Sequence, residues 1–277
     1  MPIYDMHLHT RLSEDAPQDI ENTVDSYCKL ALKSGFSHLA FTDHKDIITE
    51  PGAVNCDLYE LERQCDAAKR RYEGKLDIMF GVELAHAHTH KVPAKEILSA
   101  HKFDFVLGSL HILSDNTDFY MMDFDLYSDA ALKELYSKYL GEIYETARFC
   151  DFDSLAHITY PLRYYRKAGR QNVIDLNEYL LQYNEIFDVL IERGKALEIN
   201  CSTLSEADYN DTMRTSFLIE KYTERGGRLF TIGSDSHFYK DAGFGTQRAG
   251  RFLKNRGIDS LCVFKKRKMS LVPLVTE

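Results

Sequence analysis

Two histidines one residue apart stand near the start of the chain, directly after a short apolar segment. His7 and His9 follow Pro2-Ile3-Tyr4-Asp5. Because alternate residues of an extended segment point to the same side, both imidazole rings can face one metal ion. The pair therefore predicts metal-dependent chemistry.

Further metal-binding side chains follow most of the later segments that resemble strands. Each such segment is apolar and is followed by histidine or carboxylate: Asp43 and His44 after 39–41, Glu83 after 78–82, His111 after 105–108, His157 after 154–156, and Asp235 and His237 after 229–233. A lone histidine at a strand end is usually a hydrogen-bonded polar residue, and His38 and His101 are assigned that role. The recurrence of the pattern predicts instead one shared, multinuclear metal site.

Strand-like segments alternate with segments of helical periodicity along the chain. The predicted helices cover 20–34, 58–72, 130–149, 176–193, 213–225 and 249–255. Glycines such as Gly35, Gly194 and Gly226 follow them, where a left-handed residue commonly ends a helix. A segment at 196–200 brings the predicted strands to seven, before a weaker eighth at 261–264. This alternation predicts an α/β fold with a closed, TIM-barrel-like parallel barrel, whose C-terminal strand ends would converge on the metal site.

Size and charge limit the class of protein further. A chain of 277 residues, 44% hydrophobic, is expected to form a single domain over 1–277. The net charge of -9 disfavours nucleic acid, so the basic run Lys265 to Lys268 is expected to be a solvated turn. The six cysteines form no C-x-x-C pair, and neither a leader nor a membrane-length apolar run is evident. We expect a cytoplasmic protein; the pattern carries no indication of an oligomer.

Separated motifs occur in a fixed order along the chain. They are H-x-H at His7, D-H at His44, G-x-E at Glu83, G-S-x-H at His111, a lone His157, and S-D-x-H at His237. With these motifs the chain resembles the PHP (polymerase and histidinol phosphatase) superfamily of metal-dependent phosphoesterases, and within it the monofunctional histidinol-phosphatase group. The resemblance implies a distorted seven-stranded (β/α)7 barrel and a trinuclear metal centre.

The resemblance also implies a set of metal ligands. One ion would be held by His7, His9, Glu83 and Asp235, a second by Glu83, His111 and His157, and a third by Asp15, His44 and His237. Glu14 is an alternative to Asp15, and Asp43 is expected to orient a ligating imidazole. Because imidazole and carboxylate ligands suit Zn, Mn and Fe alike, two to three divalent ions are expected without a preferred element.

The implied reaction is hydrolysis of a phosphate ester. Clustered ions would lower the pKa of a bridging water to give hydroxide, hold the phosphate oxygens and stabilise the leaving alkoxide. Catalysis is assigned to Glu83, Asp235 and Arg163; Arg163 is the first candidate for binding substrate phosphate and Lys45 the weaker one. Thr159 stands where family members often carry Asp, so His157 lacks its usual orienting partner. The expected activity is conversion of L-histidinol phosphate to L-histidinol and phosphate in histidine biosynthesis.

Three other interpretations remain at this point. A PHP phosphoesterase could act on another substrate, such as a nucleotide or a small sugar phosphate. Amidohydrolase-like barrels that cleave C–N bonds also open with H-x-H, but their metal-bridging lysine has no clear counterpart here. A non-catalytic metal-binding or polymerase-accessory module is disfavoured by the complete ligand set and by the absence of a polymerase domain.

A second histidine run follows Glu83 closely. His86, His88 and His90 alternate with Ala87 and Thr89. We expect this run to be a solvated loop or rim, with a substrate-facing role as the alternative.

Overall fold

The computed structural model describes residues 3–47, 56–204 and 209–274, with backbone alone at 209–213. The strands are β1 (Ile3–Leu8), β2 (Phe36–Phe41), β3 (His44–Asp46), β4 (Asp77–Ala85), β5 (Phe105–Ser109), β6 (Ser154–Leu155), β7 (Ala196–Asn200), β8 (Phe230–Gly233), β9 (Ser260–Lys265) and β10 (Lys268–Pro273). The α-helices are α1 (Val24–Ser34), α2 (Leu58–Arg71), α3 (Lys91–Ala100), α4 (Asp129–Phe149), α5 (Leu162–Lys167), α6 (Leu180–Arg193), α7 (Tyr209–Glu224) and α8 (Thr246–Lys254).

Within the described residues, seven parallel strands form a barrel in the order β1-β2-β4-β5-β6-β7-β8. The barrel closes where Leu8 and Ser236 form a parallel bridge just beyond β8. There the Asp235 N–H donates to the His7 carbonyl and the His9 N–H donates to the Ser236 carbonyl, each at 2.9 Å. The predicted seven-stranded barrel is confirmed, and its closure joins the first and last metal-binding motifs of the chain.

Local sequence determines where the helices begin and end. The Thr23 and Asp57 side chains accept backbone N–H groups at the starts of α1 and α2. Gly35 and Gly194, with φ of 79° and 62°, end α1 and α6 in the left-handed conformation, as predicted. In the described part of the chain, no helix combines the length and apolar character needed to cross a bilayer.

Two helices, α3 and the short α5, were not predicted. Helix α3 directly follows the histidine run, and Ala94 is its buried residue, so it lacks a strong apolar stripe. Pro93 is compatible with the helix because it lies in the first turn, where backbone N–H groups have no intrahelical partner. The weak periodicity and the proline together explain why sequence reasoning missed this element.

The weaker eighth strand predicted at 261–264 is present, and it lies outside the barrel. Residues 261–264 lie in β9, which pairs antiparallel with β10 in a separate two-stranded sheet. Lys266 and Arg267, with φ of 51° and 62°, form the tight turn between these strands. Two left-handed residues in succession are typical of a two-residue hairpin, which reverses the chain before it could join the barrel.

This hairpin turn is attached to the N-terminal end of the barrel. The Lys266 N–H donates to Asp104 Oδ1 at 2.9 Å, and the Arg267 guanidinium bonds Asp151 and the buried Asp153. Asp104 immediately precedes β5, and Asp153 immediately precedes β6. The expectation of a solvated turn therefore holds for the exposed Lys265 and Lys268 but is wrong for Arg267.

We expect Arg267→Ala to lower the free energy of unfolding by about 2 kcal/mol. The arginine side chain is 24% exposed and that of Asp153 is 5% exposed, so its loss leaves a carboxylate nearly buried without its cation. This estimate lies between the values for exposed and for buried ion pairs. Urea unfolding at a fixed zinc concentration measures the change. Lys268→Ala, on the same hairpin, is the control, and equal effects of both substitutions would contradict the assigned role of Arg267.

Candidate metal centre

The predicted donors converge at the C-terminal end of the barrel. His7 lies next to the last residue of β1, His44 begins β3, and Glu83 lies near the end of β4. The other donors follow strands closely: His9, His111, His157, Asp235 and His237. His7, His9 and Glu83 are fully buried, whereas His44 and His237 are partly accessible at the mouth. The barrel therefore brings residues that are distant in sequence to one site.

Glu83 lies at the centre of the cluster. Imidazole nitrogens surround both of its oxygens: Oε2 is 2.9 Å from His44, 3.2 Å from His7 and 3.5 Å from His9, and Oε1 is 2.7 Å from His157 and 3.0 Å from His111. Burial alone would raise the pKa of Glu83, but the surrounding imidazoles outweigh it and hold the pKa well below its usual range. Glu83 is therefore an ionised carboxylate with both oxygens directed at potential ligands.

Asp235 joins the cluster from the segment after β8, where the barrel closes against β1. Its Oδ1 lies 3.3 Å from His9 Nε2 and 3.6 Å from His7 Nε2. Its Oδ2 accepts hydrogen bonds from Arg163 at 3.1 Å and from Asn200 at 3.2 Å. The residue has a φ of 55°, so the chain turns sharply after β8 and directs this carboxylate into the mouth. One carboxylate thus contacts both the imidazoles and an arginine.

The loop after β1 contributes a third carboxylate. Asp15 Oδ2 lies 2.9 Å from His237 Nε2 and 3.4 Å from His44 Nε2. Partial burial would raise the pKa of Asp15, but the His237 and His44 imidazoles outweigh it and lower the pKa. Of the two acidic residues that the sequence offered, this convergence favours Asp15 over Glu14 as a ligand.

The cluster has the properties of a metal site. His9 Nε2 and His44 Nδ1 are buried and, among the described residues, have no hydrogen-bond partner although carboxylates lie nearby. Side chains whose donor atoms point at one shared ion position, and not at each other, leave these atoms without a hydrogen-bond partner. Donor atoms within 4.8 Å of one another form four groups: His9/His44/His237, His7/Glu83/His157, His7/His9/Asp235 and His44/Glu83/His111. This donor set fits two to three divalent ions of the Zn, Mn or Fe type.

Glu198 is a site residue that sequence reasoning missed. Its Oε1 lies 2.6 Å from His7 Nδ1, and its Oε2 accepts the His157 N–H at 2.8 Å. A side chain at Gly233 would overlap the Cβ of His7 and lie 2.8 Å from Glu198 Oε1, so glycine permits this approach. A charged residue inside the buried strand β7 was the available signal, because such residues are rarely buried without a partner.

Two other carboxylates hold histidines from behind. Asp46 Oδ2 lies 3.0 Å from His111 Nδ1 and was missed, although strand alternation places it on the same face of β3 as His44. Asp43 accepts the hydroxyl of Ser13 at 2.9 Å, and this hydroxyl lies 3.2 Å from His9 Nδ1. The expected orienting role of Asp43 is thus exerted through Ser13.

The two candidates for phosphate binding lie in different places. Arg163, in α5, is 20% exposed, bonds Asp235 and lies over the Tyr160 ring at 5.0 Å. Lys45 lies in β3 between His44 and Asp46, which both face the cluster. Alternation along the strand directs Lys45 to the other face, which argues against its phosphate-binding role.

The histidine run differs from the expected solvated loop. His86 is fully buried and the side chain of His88 is 5% exposed, so the expectation is wrong for both. His90 precedes α3 and is partly exposed.

His157 Nδ1 is buried without a hydrogen-bond partner among the described residues, in agreement with the threonine found at position 159.

A closed β/α barrel with histidines and carboxylates converging at its C-terminal mouth defines a multinuclear metallohydrolase. The PHP domain model matches residues 5–202. This chain belongs to the PHP-domain family.

Relatives that align over nearly their whole length are named as histidinol-phosphatases. A "probable histidinol-phosphatase" of Clostridium acetobutylicum is 29% identical and covers 96% of this chain and 98% of its own. A second "probable histidinol-phosphatase", from Thermotoga maritima, is 28% identical with the same coverage. The crystal structure of histidinol phosphate phosphatase from Lactococcus lactis, complexed with Zn, L-histidinol and phosphate, superimposes with a TM-score of 0.83 at 24% identity, over 97% of this chain and 98% of that one.

We expect Glu198→Gln to weaken zinc binding about 10- to 100-fold, as is common when the partner of a ligating histidine is lost. An amide must place its NH₂ group against either the His7 ring N–H or the His157 backbone N–H, so one hydrogen bond is lost. Zinc titration of the metal-depleted protein measures the affinity. The exposed Glu192→Gln is the matched control; wild-type zinc affinity in Glu198→Gln would refute the role of this carboxylate.

Proposed function

We propose that the protein is a metal-dependent phosphomonoesterase that hydrolyses L-histidinol phosphate to L-histidinol and phosphate, a step of histidine biosynthesis. The observation that carries the proposal is the convergence of imidazoles and carboxylates on Glu83, directly beside a cationic cleft. The names of full-length relatives support the choice of substrate.

The proposed ligands follow the contacts described above. His7, His9, Glu83 and Asp235 would hold one ion; Glu83, His111 and His157 a second; and Asp15, His44 and His237 a third. Each group contains pairs of donor atoms less than 4 Å apart. His44 also lies 2.9 Å from Glu83, so it stands between the second and third positions.

Substrate would bind in the cleft beside the cluster. The lining of this cleft includes His157, Tyr160, Arg163, Asn200, Thr203 and Arg214. Arg163 lies at the boundary, because it lines the cleft and also bonds Asp235. A phosphate ester with its organic part in the cleft would therefore present its phosphate to both Arg163 and the metal ligands.

The chain and the ions have separate tasks in this proposal. When bound, the ions supply an activated water and positive charge for the phosphate oxygens. Glu83 and Asp235 remain ionised and fix the ligand positions. Arg163 donates charge-assisted hydrogen bonds to the phosphate, and its bond to Asp235 fixes the direction of the guanidinium. Positioning and charge, without a covalent nucleophile, are the contributions of the protein.

We also propose a single domain over residues 1–277 and a cytoplasmic location. One continuous apolar core extends from Tyr4 to Leu274, which supports the single domain. All six cysteines are buried free thiols, which supports a reducing compartment.

A panel of phosphate esters tests the function. Metal-depleted protein is restored with Zn²⁺, Mn²⁺ or Fe²⁺ and assayed with histidinol phosphate, a nucleotide monophosphate and a sugar phosphate. We expect kcat/KM for histidinol phosphate to exceed the others by about 100-fold, or ~2.7 kcal/mol in transition-state binding. A preference for another ester would replace the substrate. Metal binding without any hydrolysis would favour a non-catalytic module.

We expect Arg163→Ala to lower kcat/KM by about 100-fold, because its charge-assisted bonds strengthen as charge develops on the transferring group. Arg163→Lys should recover only part of this loss, since a point charge does not reproduce the planar guanidinium. Kinetics and metal analysis of each variant are compared with Lys167→Ala, an exposed cation of the same helix. An unchanged kcat/KM in Arg163→Ala, or a loss explained wholly by missing metal, would remove Arg163 from phosphate binding.

A further inference from the structure

The loop that carries His111 is held by a side chain from the histidine run. Residues 110–118 follow β5, and Ile112, next to His111, donates its backbone N–H to His86 Nε2 at 3.1 Å. The neighbouring strands β4 and β5 stop pairing at Ala85 and Ser109. The His86 side chain therefore continues, beyond the sheet, the connection that the backbone no longer makes.

A second connection holds the same loop further out. Ser114 donates its backbone N–H and its hydroxyl to Glu142 of α4, at 2.9 Å and 2.7 Å. Glu142 Oε2 also lies 3.2 Å from His88 Nε2. The turn after β4 is thus tied to both ends of the segment from Ile112 to Ser114.

We propose that His86, His88 and Glu142 form a latch that holds the His111 loop in its metal-binding position. They are positioning residues, because they act through the loop and not on the substrate. The inference rests on the metal centre of the proposed function but not on the identity of the substrate.

The local conformation of His86 supports this role. Its φ is 63°, a backbone region that is unfavourable for a residue with a side chain. Its Nδ1 is buried and has no hydrogen-bond partner among the described residues. Residues keep two such unfavourable features where the surrounding structure benefits from their position. The bond to the Ile112 N–H is the interaction that benefits here.

His86 also has the protonation state that the latch requires. Burial, opposed by Asp46, lowers the pKa of His86 to about 4. The ring is therefore neutral near pH 7, and an unprotonated Nε2 can accept the Ile112 N–H. In a protonated ring, Nε2 would carry a hydrogen and could not accept the Ile112 N–H.

Release of the latch should act mainly on the second ion. His111 Nε2 lies 3.0 Å from Glu83, and its Nδ1 lies 3.0 Å from Asp46. Asp46 fixes the direction of the ring, whereas the latch fixes the backbone from which the ring extends. Without the latch, the backbone next to His111 would fluctuate and the ligand would spend less time in place.

The test compares His86→Gln with His86→Met. Both side chains are unbranched and of equal length, so the cost of the left-handed backbone is matched; glutamine keeps an oxygen acceptor near the position of Nε2, whereas the methionine sulfur is a weak acceptor. Zn²⁺ titration of the metal-depleted protein and amide hydrogen exchange of residues 110–114 are the measurements. We expect His86→Met to weaken at least one zinc equivalent 10-fold or more and to speed exchange at Ile112, with restoration by glutamine and by excess Zn²⁺.

Glu142→Ala examines the outer connection at a partly exposed helix position. We expect faster exchange at Ser114 and weaker binding of at least one zinc equivalent, whereas Glu145→Ala, exposed on the same helix, should match the wild type. The latch is refuted if Glu142→Ala and every folded His86 variant keep wild-type exchange and zinc affinity. A wild-type protein that binds no Zn²⁺ would instead refute the metal centre itself.

Discussion

The structure depends on one buried, ionised carboxylate, Glu83, held among imidazole rings. Removing such a charge from water costs on the order of several kcal/mol unless opposite charge compensates for it. The barrel provides that compensation from β1, β3 and the turns after β5 and β6, so no single element of the fold accounts for the site. The ends of these strands are consequently positioned by a shared electrostatic requirement as well as by apolar packing.

The donors are arranged in layers around this carboxylate. Behind His7, His9 and His111 lie Glu198, Ser13 and Asp46, each at the Nδ1 atom, so that Nε2 of each ring faces the cluster. A partner at one ring nitrogen determines which nitrogen is left to bind a metal. These partners therefore determine the tautomers of the three histidines before any ion is bound. His157 departs from this pattern, because its backbone and not its ring is held by Glu198.

Much of this arrangement could be predicted from the sequence. Strand periodicity with polar residues directly after each strand gave the barrel and the convergence of donors, because parallel strands end at one mouth. Glu198 was beyond this reasoning, since its role depends on which strands are neighbours. His86 and His88 were misjudged because spacing does not reveal burial. Lys45 was proposed from proximity in sequence, whereas the alternation of side chains along β3 argues against that role.

The closure of the barrel between β1 and the segment after β8 also has a consequence for biosynthesis. His7 and His9 are synthesised more than two hundred residues before Asp235, which completes their donor group. Until then, the nascent chain carries the two histidines of this group without their carboxylate. The group His7/His9/Asp235 is therefore complete only after the segment that follows β8 has been made and has closed against β1.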